Sequence, residues 1–92
     1  MRLRDVSSRE QREQNIAGLF VYVGLQPNTR PFANLVQLDS GGHIVTDISM
    51  ATSVPGIYAA GDIRARSVAQ LAACAGDGAT AAISAYKFVC GR

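Results

Sequence analysis

Thr52-Ser53-Val54-Pro55-Gly56-Ile57-Tyr58-Ala59-Ala60-Gly61-Asp62 is the stretch on which the fold of this chain turns. Thr52 to Gly56 combine two hydroxyl side chains, a proline and a glycine, which is the chemistry of a turn. Ile57 to Ala60 follow as a short apolar run that reads as a strand, broken at Gly61-Asp62. In open α/β sheets, ligands bind at the carboxyl ends of strands, and Asp62 falls at one. A glycine there lets a ligand approach the backbone, and a carboxylate can accept hydrogen bonds from sugar or polyol hydroxyls. Gly-Asp alone is a common turn, so its surroundings carry the weight.

Upstream, Gly18-Leu19-Phe20-Val21-Tyr22-Val23-Gly24 is a continuous apolar run fenced by glycines. Its β-branched and aromatic content predicts a strand over Leu19–Val23 buried on both faces, as in a parallel sheet. Leu25 to Phe32, with two prolines and Asn28-Thr29, is a loop. Ser40-Gly41-Gly42 turns into a short strand, His43–Thr46. Downstream, Ser67 to Val89 reads as one helix, with Val68, Leu71, Ala75, Ala79, Ala82, Ile83 and Tyr86 recurring at helical spacing. Gly76 and Gly78 each cost that helix roughly 1 kcal/mol against alanine, which points to close packing against another element or a bound molecule. Gly76-x-Gly78-x-x-Ala81 has the letters of a dinucleotide fingerprint, but it lies inside a helix instead of opening one after a strand. Chance spacing explains it better. The order of strands and helix is α/β.

The N-terminus is different. Arg2, Arg4, Asp5, Arg9, Glu10, Arg12 and Glu13 crowd one short segment. Ser7 and Glu10 have capping-box spacing for a helix, to which propensity alone leans, and Arg2–Val6 against Gln11–Gln14 could also make a polar hairpin. Both fit.

With 92 residues, 48% hydrophobic and without tryptophan, the chain fits at most one small domain with a thin core. A net charge of +2 is too small to suggest a nucleic-acid partner or a polybasic membrane contact. No apolar run approaches the ~20 residues that span a bilayer, and no signal-peptide h-region follows the arginines, so a cytoplasmic location is expected. Cys74 and Cys90, 16 residues apart on one helix, would be roughly 24 Å apart, too far for a disulfide. His43 has no partner at metal spacing, and no metal site is expected.

The Thr52–Asp62 stretch resembles the C-terminal flavin motif of pyridine nucleotide–disulfide oxidoreductases, above all thioredoxin reductases and the thioredoxin-reductase-like ferredoxin–NADP reductases. Gly18 to Thr29 is similar to that family's preceding strand and loop, and Ala75-Gly76-Asp77-Gly78-Ala79 to a break within its last helix. The resemblance implies the C-terminal part of a Rossmann-like FAD-binding domain over residues 17–92, incomplete as a fold on its own. Residues 1–16 resemble the tail of an inserted NADPH domain, which favours the hairpin. The implied cofactor is FAD, bound by Gly61, Asp62, Ala69, Gln70 and Leu71, with Asp62 on the ribityl chain and the helix N-terminus at the pyrimidine edge. Ala69 stands where the family usually carries Arg or Lys, so that charge is not carried over. The family's first glycine loop, its NADPH site and its C-x-x-C have no counterpart in these residues, and no catalytic side chain is assigned. The implied activity is electron transfer from NADPH through FAD to a disulfide or a redox protein, thioredoxin or ferredoxin. The implied partners are the missing FAD- and NADPH-binding portion and a second copy of the chain. The alternative is a non-catalytic fragment that self-associates and does not bind FAD alone.

Overall fold

The computed structural model describes residues 1–91. Of the two N-terminal alternatives, the hairpin forms. β1 (Arg2–Arg4) pairs antiparallel with β2 (Gln11–Glu13), Arg2 opposite Glu13 and Arg4 opposite Gln11. The Asp5 carboxylate accepts the N–H groups of Ser7 and Ser8, each at 2.8 Å. Arg9 takes a left-handed φ of 60° to bring the chain back. An aspartate closing an Asx turn on its own backbone competes with helix initiation, and here it prevails over Ser7 as a cap.

The strand expected over Leu19–Val23 does not form. Residues 14–29 contain no helix or strand, and exposure runs from 65% at Leu19 to 97% at Tyr22. A strand apolar on both faces needs neighbours on both edges and cover on both sides. No other described segment reaches it, and β propensity without a pairing partner fixes nothing.

The core lies further on, among loops. Val36, Ile44 and Ala59 are buried together, with Leu38, Val54, Ile57 and Ile63 packed on them. The expected strands at His43–Thr46 and Ile57–Ala60 shrink to single bridges: Leu38 to Ile44, Ile44 to Arg64, and Ala51 to Tyr58. Ile44 is the hub. Its N–H donates to the Ile63 carbonyl at 2.9 Å and its carbonyl accepts the Ala65 N–H at 2.7 Å. Carboxylates pin the connecting turns: Asp39 accepts the N–H groups of Gly41 and His43, both at 2.9 Å, and Asp47 does the same for Ser49 and Ala51.

α1 (Leu71–Cys90) is the one long helix among the described residues. It begins four residues later than its periodicity suggests, because Ala69 is left-handed (φ 53°) and Gln70 extended. It ends at Gly91, whose left-handed φ of 69° turns its N–H back onto the carbonyls of Lys87 and Phe88. Both cysteines lie on it unpaired. The apolar stripe at helical spacing is uncovered: Leu71, Ile83 and Tyr86 are 87%, 57% and 62% exposed. The side set against residues 56–64 carries Cys74, Asp77 and Ser84, and the half-exposed Phe88 ring lies over Gly56. Periodicity reveals that a face exists but not which side of the helix this chain itself covers. The α/β class, with few strands and one long helix, is as expected. No helix among the described residues is long and apolar enough to cross a membrane.

Candidate functional site

Gly61 to Ile63 form a single 3-10 turn after the extended residue Ala60. Gly61 is buried with φ 83°, and a Cβ there would sit 3.5 Å from the Cys74 sulfur, an ordinary contact. Backbone conformation, more than space, therefore requires glycine at this position. α1 grips the turn from one side. The Asp77 carboxylate accepts the Gly61 N–H at 3.0 Å and the guanidinium of Arg64 through both Nε and Nη2, the latter at 2.9 Å. That guanidinium holds the Asp77 carboxyl below the usual aspartate range, with the Gly61 N–H adding to the effect. One helical turn earlier, the Cys74 thiol donates to Asp62 Oδ1 at 3.0 Å, and this bond to a carboxylate pushes the thiol pKa up.

Beside this turn lies a cleft of about 400 Å³ whose walls include Pro27, Asn28, His43, Asp62, Arg66 and Ala69. Asp62 and Ala69, two of the five residues predicted from sequence, thus meet on one cavity. Gly61 lies buried behind Asp62. Gln70 is the N-cap of α1, and Leu71 is its first residue; neither lines the cleft. Gln70 makes no side-chain cap, and the first intrahelical bond runs from the Cys74 N–H to the Gln70 carbonyl. The N–H groups of Leu71, Ala72 and Ala73 therefore have no intrahelical acceptor. Arg66 and Ala69 both hold left-handed backbones, at 64° and 53°, in the loop that joins cleft to helix.

Sequence reasoning missed Arg64 and Asp77. A signal was present: a carboxylate between two glycines within an alanine-rich helix is costly unless something binds it, and Arg64 stands two residues past Asp62.

The sequence signature of the pyridine nucleotide-disulphide oxidoreductases matches residues 2–79. The chain belongs to that family. It is 50% identical over 74 residues to a thioredoxin reductase of Listeria monocytogenes, covering 80% of this chain and 23% of that protein. It is 34% identical over 90 residues to a 34.2 kDa protein in the rubredoxin operon of Clostridium pasteurianum, covering 98% of this chain and 29% of that one. Among solved structures, Lactococcus lactis thioredoxin reductase superposes with a TM-score of 0.75 at 42% identity, over 97% of this chain and 29% of its own. The thioredoxin reductase of T. acidophilum gives 0.72, also at 42% identity, over 94% of this chain and 29% of its own. The chain thus matches between 23% and 29% of the length of these relatives. Within the described residues the Leu19–Val23 segment and one apolar face of α1 stay uncovered.

Proposed function

We propose that this segment furnishes the ribityl- and pyrimidine-facing part of an FAD site in an NADPH-dependent oxidoreductase of thioredoxin reductase type, acting in the cytoplasm. The observation that carries the proposal is the Asp62 carboxylate on the wall of the cleft, next to a buried left-handed glycine and beside an uncapped helix start. These groups fit the cofactor. A carboxylate accepts hydrogen bonds from polyol hydroxyls, and the left-handed Gly61 turns the chain just before Asp62 reaches the cleft wall. Gln70 and Leu71 stand where the helix dipole and free N–H groups favour negative charge at a ring edge. Ala69, without the basic side chain common in the family, contributes backbone alone. FAD, when bound, supplies two-electron chemistry between NADPH and an acceptor; the acceptor class is a disulfide or a redox protein such as thioredoxin or ferredoxin. This chain's own residues bind and orient, and none acts as a general acid or base.

The test is a chimera in which residues 17–92 replace the matching segment of the Lactococcus lactis enzyme, with flavin content read from absorbance. The chimera should purify yellow, and Asp62→Ala should lose flavin. A folded chimera without flavin, or one that keeps full flavin with Asp62→Ala, would overturn the proposal.

A second function is favoured by a separate observation, the exposure of Phe20, Tyr22 and Val23 at 92% or more. Unpaired β-forming backbone with apolar side chains on both faces is a template for pairing with a second copy of the chain. In that case the chain is a self-associating, non-catalytic segment. Sedimentation distinguishes the two: a compact monomer at high concentration rules out self-association.

A further inference from the structure

We propose that Arg64 and Asp77 are a positioning pair, which fixes the Asp62 carboxylate against the start of α1 by gripping the chain on both sides of it. The pair brackets Asp62: Asp77 holds the N–H of Gly61, one residue before, and the guanidinium of Arg64, two residues after. Asp77 is the one buried residue of α1, and its two oxygens accept three hydrogen bonds. A carboxylate so satisfied, opposite a planar guanidinium fork, has a defined orientation that a flexible lysine would not impose. Arg64 is itself anchored. Its Nη1 donates to the Ala65 carbonyl at 3.2 Å, its backbone N–H closes the turn onto Gly61, and the Ala65 N–H ties the next residue to Ile44 in the core. Asp62 has no such anchors. Its carboxylate is exposed and, among the described residues, receives its side-chain hydrogen bond from Cys74. Its placement therefore depends on the residues either side of it. What Asp62 meets in the cleft rests on the flavin proposal; that Arg64 and Asp77 place it does not.

Cys74 reports on that placement, because its thiol touches Asp62. In a Cys90→Ser background Cys74 is the sole thiol. The charged groups facing it are Asp62 and Asp77, with Arg64 behind them. Arg64→Lys keeps the charge and removes the fork; Arg64→Gln removes both. The two possible effects have opposite signs. Loss of a nearby cation by itself makes the thiolate harder to form, whereas release of Asp62 makes it easier.

The experiment is the pH profile of iodoacetamide alkylation of Cys74 in the 92-residue chain, with helix content checked by circular dichroism. Both variants should react faster than the parent at pH 8, by roughly threefold or more, the change made by half a pKa unit. Their midpoints should move down toward the ordinary cysteine value. An Arg64→Lys protein with the parental profile, or an Arg64→Gln protein that reacts more slowly, would overturn the proposal. If Arg64→Gln does not fold, Arg64→Lys decides alone. A purely stabilising ion pair would lower the melting temperature and leave the profile in place. No flavin enters this measurement, so its failure leaves the flavin proposal standing, and a flavin-free chimera leaves the pair standing.

Discussion

Replacing Gly56 and Gly76 with alanine, one at a time, should shift stability in opposite directions. Gly56 is the third residue of the turn Val54-Pro55-Gly56-Ile57, closed by the Ile57 N–H on the Val54 carbonyl at 3.1 Å. Its φ of 85° is left-handed, which costs an L-residue roughly 1–2 kcal/mol. A Cβ there would also stand 3.1 Å from the Phe88 ring, so the contact between this turn and the end of α1 must give. Gly76 is helical, and a Cβ would meet nothing within 4 Å. Alanine there removes the conformational penalty of glycine in a helix and gains roughly 0.5–1 kcal/mol. The two variants should therefore differ by about 1.5–3 kcal/mol. At roughly 4–8 °C per kcal/mol for a domain of this size, their melting temperatures should lie at least about 6 °C apart. Thermal melts followed by circular dichroism at 222 nm measure this directly. A destabilised Gly76→Ala protein, or a Gly56→Ala protein that melts with or above the parent, would refute the reasoning for that position.

Other outcomes follow from the same contacts. Asp39, Asp47 and Asp77 are all held below the ordinary aspartate value, by the His43 N–H, the Ser49 hydroxyl and the Arg64 guanidinium respectively. Because the folded state binds protons less readily than the unfolded one, their contribution is full above about pH 4 and is lost as pH falls through the lowered values. The melting temperature should be flat down to about pH 5 and fall below about pH 4, and Asp77→Asn should melt lower at neutral pH with a shallower acid limb. Gly76→Leu should stabilise the isolated chain almost as much as alanine, yet reduce flavin retention in the chimera if this face packs against the remainder of the enzyme, by overpacking of roughly 1–3 kcal/mol. The 92-residue chain by itself should bind FAD weakly or not at all, and a submicromolar constant by titration would contradict that.

The sequence revealed more of the site than of the sheet. The turn at Gly61-Asp62 was legible because a glycine with a required φ and a carboxylate after an apolar run are local signals; Asp62 lines the cleft, and Gly61 is buried behind it. The end of α1 falls within one residue of the Val89 expected from periodicity, at Cys90. Leu19–Val23 was misleading because its pattern describes burial between neighbours that this chain does not supply. The stripe of Leu71, Ile83 and Tyr86 likewise marks a face that the described residues leave open. Arg64 and Asp77 went unseen because 13 residues separate them and only the turn at Gly61 brings them together. The late start of α1 depends on Ala69 in a left-handed conformation, which no propensity scale assigns to alanine.

Complementation tests the central claim most directly. The Listeria monocytogenes relative, truncated to remove the segment that matches residues 17–92, is mixed with this chain and FAD, and bound flavin is measured after gel filtration. Each piece alone should remain colourless. The mixture should yield a yellow complex with about one flavin per pair of chains, and Asp62→Ala should abolish it. A mixture in which both pieces are folded and associated but no flavin co-elutes would contradict the assignment of an FAD half-site to this segment.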